Sequence, residues 1–430
     1  MKRVVAAGIA IVVAAMLGVG APAGAQSEPT RDDAEPIKVA FVYPDLRQLK
    51  GTGFVIDAGD TAAQAEAYVD ALNDRGGING RPIELSLHSY DVLASDLLAA
   101  QRAACLAATE DEKAMVVLSP SIFDDPILCV TRQHKTPLIV QNGTSTELVN
   151  SSDGRLFSTN FTWEHAFRSG VQAFGKRLKG KTIGIVRLDE AGLADDVENG
   201  LTKPLEAKGM EVAEEVVLPG LGGSETTAAI PTAIERLRNA GVDALFIGTN
   251  SYVTSIFLAQ AAQAGYEPTY LATDFAEAST NLLARLSPPG SMTGAQGVSW
   301  RSTGDAEVGQ APAAFDEQCM QTYVARSGTS APPYGDDEYN AVVATCALFN
   351  LFDLAATAAG SNLNQKSFVR SLSRLRDFDL GGGASGSFGP KRFDAPNTIR
   401  DLKIDESCTA PGGRGKPCWV PAGDFVPFKR

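Results

Sequence analysis

The sequence predicts an α/β protein made of two doubly wound lobes with parallel sheets. Two observations carry this reading. In residues 57–91 an amphipathic helix, a glycine stop and an extended run follow one another directly, and a strand-like run precedes them. The same β-α alternation then occurs in two consecutive sets, one starting near Ile37 and the other near Lys181.

The elements follow in order. Residues 37–43 are a short apolar run and read as the first strand. Apolar residues then recur at Ala58, Ala62, Ala65, Val69 and Leu72, one buried helical stripe that leaves Asp60, Gln64, Asp70 and Asn73 for water. Gly76 and Gly77 end the helix, since glycine takes the left-handed conformation that a C-cap needs. Asn79-Gly80 turns the chain and Pro82 opens the extended run 83–90. A helix over about 94–109 leads to two further strands, 114–119 and 136–141, which are short, apolar and β-branched as buried parallel strands are.

The second set supplies strand candidates at 182–188, 210–218, 243–249 and 269–273, separated by helical stretches near 192–208, 224–240 and 252–265. Later helices are expected at about 311–326, 336–358 and 366–376, the middle one carrying a core stripe of Tyr339, Val342, Cys346, Phe349 and Phe352. A glycine-rich break at 381–389 precedes a hairpin-like run, 393–404. Doubly wound sheets hold ligands beyond the carboxyl ends of their strands, so two such lobes face to face share one cleft.

The N-terminus reads as a secretory signal over residues 1–25, with Lys2 and Arg3, an apolar run over 4–20, and Ala23-Gly24-Ala25 as the cleavage site. No cysteine lies there to take a lipid, and no later run is expected to reach membrane-spanning length. Residues 26–36 are polar and proline-bearing, a flexible lead-in. Losing Lys2 and Arg3 takes the formal net charge from −13 to −15, which disfavours nucleic acid and anionic lipid as partners. All six cysteines fall in the exported part, and sequence order suggests neighbours: Cys105 with Cys129, Cys319 with Cys346, Cys408 with Cys418. A metal site is not expected, because no CxxC exists and His88, His134 and His165 are scattered. No cofactor is expected either.

The run GGINGRPIEL, followed by SYD, resembles the solute-binding proteins of branched-chain amino-acid ABC transporters, of the type I periplasmic-binding fold, and the resemblance continues from about 37 to 404. It implies a three-strand hinge with crossings near Phe161, Gly297 and Leu380. The lobes would then be 37–161 with 298–380, and 162–297 with 381–430. It also implies a membrane permease as partner, a small polar or amphipathic solute as ligand with aliphatic amino acids leading, and a monomer. The Cys105–Cys129 pair resembles a disulfide of amino-acid-binding members.

Three places look like cleft linings. Ser119-Pro120-Ser121-Ile122-Phe123 follows a buried strand, and hydroxyls and free N–H groups at a helix start suit a carboxylate, although Ser121 serves equally as an N-cap. Asn142-Gly143-Thr144 follows the next strand; the resemblance implies that Gly143 offers a carbonyl and Thr144 a hydroxyl to an amino-acid ligand. Asp274 stands just past strand 269–273, where the resemblance implies an acid that holds an ammonium group, and Asn250 occupies an equivalent strand end. The run Leu188-Asp189-Glu190-Ala191-Gly192 departs from the family, which often places a stacking aromatic there. Phe54, Phe123, Trp163, Tyr252 and Trp300 remain as sources of an aromatic wall.

An enzyme is not expected. GxSxG and HExxH patterns are absent, and three histidines leave few general bases. A ligand sensor of the same fold is the other class considered, with a secreted hydrolase behind it.

Overall fold

The computed structural model describes residues 35–49, 56–220, 222–408 and 417–430. The expected signal segment, most of the lead-in and Phe54 lie outside the described residues. The described chain is an α/β fold with two parallel-sheet lobes.

The first lobe is laid down as β1 (Ile37–Pro44), α1 (Thr61–Asp74), β2 (Ile83–Tyr90), α2 (Leu97–Leu106), β3 (Val116–Ser119), α3 (Asp125–Leu128), β4 (Leu138–Val140), α4 (Thr146–Ser151) and β5 (Leu156–Ser158). Its five strands are ordered β2-β1-β3-β4-β5 and all run parallel. β3, β4 and β5 are buried along their whole length, as parallel strands covered on both faces are. The edge strand β2 is half exposed.

The second lobe follows as α5 (Trp163–Phe174), β6 (Ile183–Leu188), α6 (Leu193–Val197), α7 (Lys203–Glu206), β7 (Val212–Leu218), α8 (Ser224–Asn239), β8 (Ala244–Gly248), α9 (Ser251–Gln263), β9 (Thr269–Ala272), α10 (Asn281–Leu286) and β10 (Gln296–Ser299). Strands β10-β9-β8-β6-β7 are parallel. The chain then returns to the first lobe through α11 (Ala314–Ser327), α12 (Asp337–Ala359) and α13 (Gln365–Leu372), followed by the hairpin β11 (Phe378–Gly381) and β12 (Ala384–Gly386). Finally β13 (Thr398–Asp405) joins β10 antiparallel, with β14 (Cys418–Pro421) and β15 (Val426–Pro427) pairing antiparallel to β13.

Several expectations change on contact with the packing. Gln64 is not left to water: α11 and α12 cover α1, and Gln64 is fully buried, donating to Ala58 O (2.7 Å) and accepting from Thr345 Oγ1 (3.2 Å). Asn73 is likewise engaged, clasping the start of β2 through Ile83 N and O. Residues 393–404 form no hairpin, because β13 is taken into the second sheet between β10 and β14. The helical segment Asp337–Asn362 is long and apolar enough to cross a membrane by length and composition. More than half of its most apolar window is buried, against α1, α11 and α13, as in a core helix.

The third passage between sheets also lies later than Leu380. Phe388 and Phe393 pack on Phe157 of β5, with ring centroids 5.1 and 5.6 Å away, and Asp394 bridges Ser158, so residues 378–394 stay with the first sheet. The three passages are thus 159–162, 300–313 and 395–397. Side chains brace them to one another. Asn160 Oδ1 accepts from Trp300 Nε1 (2.7 Å), and Asp394 Oδ2 accepts from Thr162 N (3.2 Å) and pairs with His165 Nδ1 (2.6 Å). Phe428 covers Phe161 and His165, and Arg430 donates to the carbonyls of Asp394 and Pro396.

All six cysteines are paired, as Cys105–Cys129, Cys319–Cys346 and Cys408–Cys418. Cys105, Cys129 and His134 lie together, but both sulfurs belong to a disulfide and offer no thiolate to a metal.

Candidate functional site

Parallel strands end where their connecting loops begin, so the loops after β3, β4, β6, β8 and β9 carry the candidate residues. Two of these loops touch across the lobes. A Cβ on Gly192 would stand 2.8 Å from Ser145 Cβ, so the second lobe approaches α4 at a position where only glycine fits, and Gly192 has φ +77°. Beside it, Thr146 N at the start of α4 donates to Asp196 Oδ2 (3.0 Å) on α6.

In the first lobe, most candidates build the loops. Ser119 Oγ donates to Ser121 O (2.9 Å) and accepts from Ser121 N (3.2 Å). Asn142 accepts from Ile122 N (3.1 Å) and donates to Ile122 O (3.0 Å), tying the two loops together. Phe123 N donates to Gln101 Oε1 (2.9 Å). The N–H groups of Ser121, Ile122 and Phe123, expected to be free at a helix start, are therefore all taken by side chains, and α3 begins later, at Asp125. Ile122 is core, whereas Phe123 is exposed. Gly143 lies so close to the first passage that a Cβ would come 2.8 Å from Phe161 O. Thr144 is buried, its carbonyl accepting from Trp163 N, and its hydroxyl has no partner among the described residues.

In the second lobe, Asn250 caps α9 by accepting from Val253 N (3.0 Å). Asp274 is fully engaged within the fold. Its Oδ1 accepts from Ser279 Oγ and Ser299 Oγ (both 2.6 Å), and its Oδ2 accepts from Trp300 N (2.8 Å). Burial raises its pKa, against the opposing charge of Arg301 and those three bonds. The carboxylate fastens the end of β9 to the exit of β10. Of the aromatic candidates, Trp163 and Trp300 are buried, while Phe123 and Tyr252 are exposed.

Two carboxylates that the sequence reading did not single out as ligand groups sit at the same strand ends. Glu190, after β6, is half-buried; burial and the charge of Asp124 push its pKa up to about 7. Asp124, beyond β3, is raised by burial and by Asp125. No hydrogen bond or ion pair reaches either carboxylate among the described residues. The available signal was positional: Glu190 stands in the loop where an aromatic was expected. A cavity of about 320 Å³ elsewhere, lined by Asp305, Tyr334, Arg400 and Phe425, includes none of these residues.

A family model described as "Periplasmic binding protein" matches residues 36–402. Among solved structures, the chain is similar to a solute binding protein of an ABC transporter from Rhodopseudomonas palustris BisB5 in complex with 3,4-dihydroxy benzoic acid, at 15% identity, covering 92% of this chain and 98% of that one, with a TM-score of 0.63. It is similar too to a leucine binding protein, LivK, from Thermotoga maritima, at 15% identity, 91% and 99% coverage and a TM-score of 0.62. The branched-chain amino acid transporter substrate binding protein LivJ from Streptococcus pneumoniae, in complex with isoleucine, aligns at 15% identity, 90% and 100% coverage and a TM-score of 0.58. Among curated proteins none matches.

Proposed function

The chain belongs to the periplasmic binding protein family, and from that premise we propose that it is the exported solute receptor of an ABC importer, working by hinge closure. The observation that carries this reading is the meeting of strand-end loops from two sheets, at Ser145–Gly192 and Thr146–Asp196, with three braced passages connecting the lobes. A small solute bridging both sets of loops favours the closed form through contacts that the open form lacks. A membrane permease then reads the closed form. The protein acts as a monomer without catalysis or cofactor, and its disulfides fit an oxidising envelope compartment.

The relatives of this fold carry amino acids in some cases and hydroxybenzoates in others, so the fold itself does not select the solute. The ligand surface we assign is Ser121, Phe123, Gly143 and Thr144 from the first lobe, with Asn250 and Glu190 from the second. Ser119, Ile122, Asn142 and Asp274 position these loops. The test is a thermal-shift screen with amino acids, amides and small organic acids, followed by small-angle scattering. A ligand at about 100 times its Kd adds roughly 2.7 kcal/mol to the folded state and raises Tm. A stabilising solute that leaves the radius of gyration unchanged would exclude hinge closure.

A further inference from the structure

We propose that Phe428 and Arg430 are positioning residues for solute binding: from the hinge, and without touching the solute, they hold the lobes together and so set how tightly any solute is retained. This rests on the receptor reading above and adds to it a control of affinity that lies outside the cleft.

The segment that runs on from β15 is anchored to the second lobe and grips the first. Val426 pairs with Ile399 of β13, and Gln172 on α5 clasps the chain twice, donating to Pro427 O (2.9 Å) and accepting from Lys429 N (2.8 Å). Between these points Phe428 N donates to Asn397 O (2.9 Å) in the third passage. Its ring centroid lies 4.6 Å from that of Phe161 in the first passage and 5.5 Å from that of His165 on α5. Arg430 lies over the Phe428 ring (5.4 Å) and reaches Asp394, which stays with the first sheet through its bridge to Ser158. It donates to the carbonyls of Asp394 (3.1 Å) and Pro396 (2.8 Å) and pairs with Asp394 Oδ1 (3.5 Å). One short strap thus joins the first and third passages.

Rotation of one lobe against the other is absorbed by backbone torsions in the passages. A side chain seated on two passages at once makes its full set of contacts in one arrangement and loses part of it in another. The contacts of Phe428 and Arg430 are made with the lobes together, where Gly192 approaches Ser145, so they favour that arrangement with or without solute. They are stronger than loose surface contacts, because Phe161 and the Asp394 carboxylate are buried and Phe428 is half-buried. None of these partners belongs to the ligand surface assigned above. Weakening the strap therefore lowers the population of the binding-competent form and reduces affinity by that fraction, one factor for every solute. A substitution in the cleft would instead change affinity by a factor that depends on the solute.

Spin labels on Leu98→Cys and Val217→Cys, exposed on opposite lobes of a chain whose native cysteines are all paired, report lobe separation by double electron–electron resonance. Without solute, Phe428→Ala and Arg430→Gln should each lengthen that separation. Calorimetry with L-leucine, L-isoleucine, 4-hydroxybenzoate and 3,4-dihydroxybenzoate should show binding weakened about fivefold, by one common factor, for each compound that the unmodified chain binds. Saturating solute should return both variants to the separation of the unmodified complex, a recovery that damage to the fold would not allow. Phe428→Tyr, which keeps the ring, should restore both readings, and Val426→Ala, an exposed side chain on the same segment, should leave them unchanged. An unchanged or shortened separation in either hinge variant, no recovery with solute, or weakening that differs from solute to solute would overturn the proposal and leave the receptor standing. If no compound in the screen above closes the unmodified chain while the variants still open it, the strap stands and the receptor reading falls. If neither closure nor opening is seen, both fall.

Discussion

Asp274 shows how a residue's position and its role separate. It stands at the end of a parallel strand, where an ammonium-binding acid is expected, yet Ser279, Ser299 and the Trp300 amide fill its oxygens. Asp274→Ala leaves these buried donors unpaired, and we expect a loss of about 3 kcal/mol of stability, seen as a lower Tm without any ligand. Unchanged Tm with lost solute binding would return Asp274 to the ligand site. Asp394 makes a second residue-scale case. Burial alone would raise its pKa, but the hydrogen bond and charge of His165 and the charge of Arg430 hold it below the ordinary carboxylate value. A depressed folded pKa contributes stability that is present above the unfolded value of about 4 and is lost as pH falls below it. Tm should therefore fall more steeply below about pH 4 in the unmodified chain than in Asp394→Asn. Parallel curves for the two would remove Asp394 from the acid response.

At the scale of elements, the disulfide Cys319–Cys346 joins α11 to α12, the pair that covers α1. Replacing both cysteines by serine should cost about 2–4 kcal/mol. The loss should appear in hydrogen exchange as faster opening of α11 and α1, with β6 and β8 of the second lobe unaffected; uniform acceleration would show that the lobes unfold as one unit. Elements such as β6 and β8 were legible because a buried parallel strand must be a short apolar run, whatever its neighbours. Gln64 was not legible, because its burial depends on helices contributed by residues some 250 or more positions later. The late third passage was hidden for the same kind of reason: Phe388 and Phe393 stay with the first sheet only because Phe157 waits on β5. The candidate loops were found from strand ends, but the split between Ser119 and Asn142 as scaffolding and Glu190 and Thr144 as unpaired groups depends on hydrogen bonds that no one-dimensional spacing encodes.

For the whole molecule, the relevant quantity is the balance between open and closed lobes. Ser145 and Gly192 come from opposite lobes and meet in this structure, so a cross-link between them would hold the lobes at this separation. A Cβ at Gly192 would lie 2.8 Å from Ser145 Cβ, while a disulfide prefers roughly 3.5–4.5 Å, so a cross-link needs an opening of only about 1 Å. Cysteine at φ +77° adds backbone strain of order 1 kcal/mol, small beside the constraint of the bond. The oxidised Ser145→Cys/Gly192→Cys protein should have the smaller radius of gyration without solute, and solute should enter it slowly because the entrance is held shut. Mild reductant that spares the three native pairs should restore both the larger radius and the faster entry. Since a ligand shifts a two-state equilibrium only by its differential affinity, the ratio of entry rates before and after reduction bounds the open fraction of the native protein. Equal entry rates in the locked and released forms would mean that solute reaches its site without lobe opening, and hinge closure would then not be the working step.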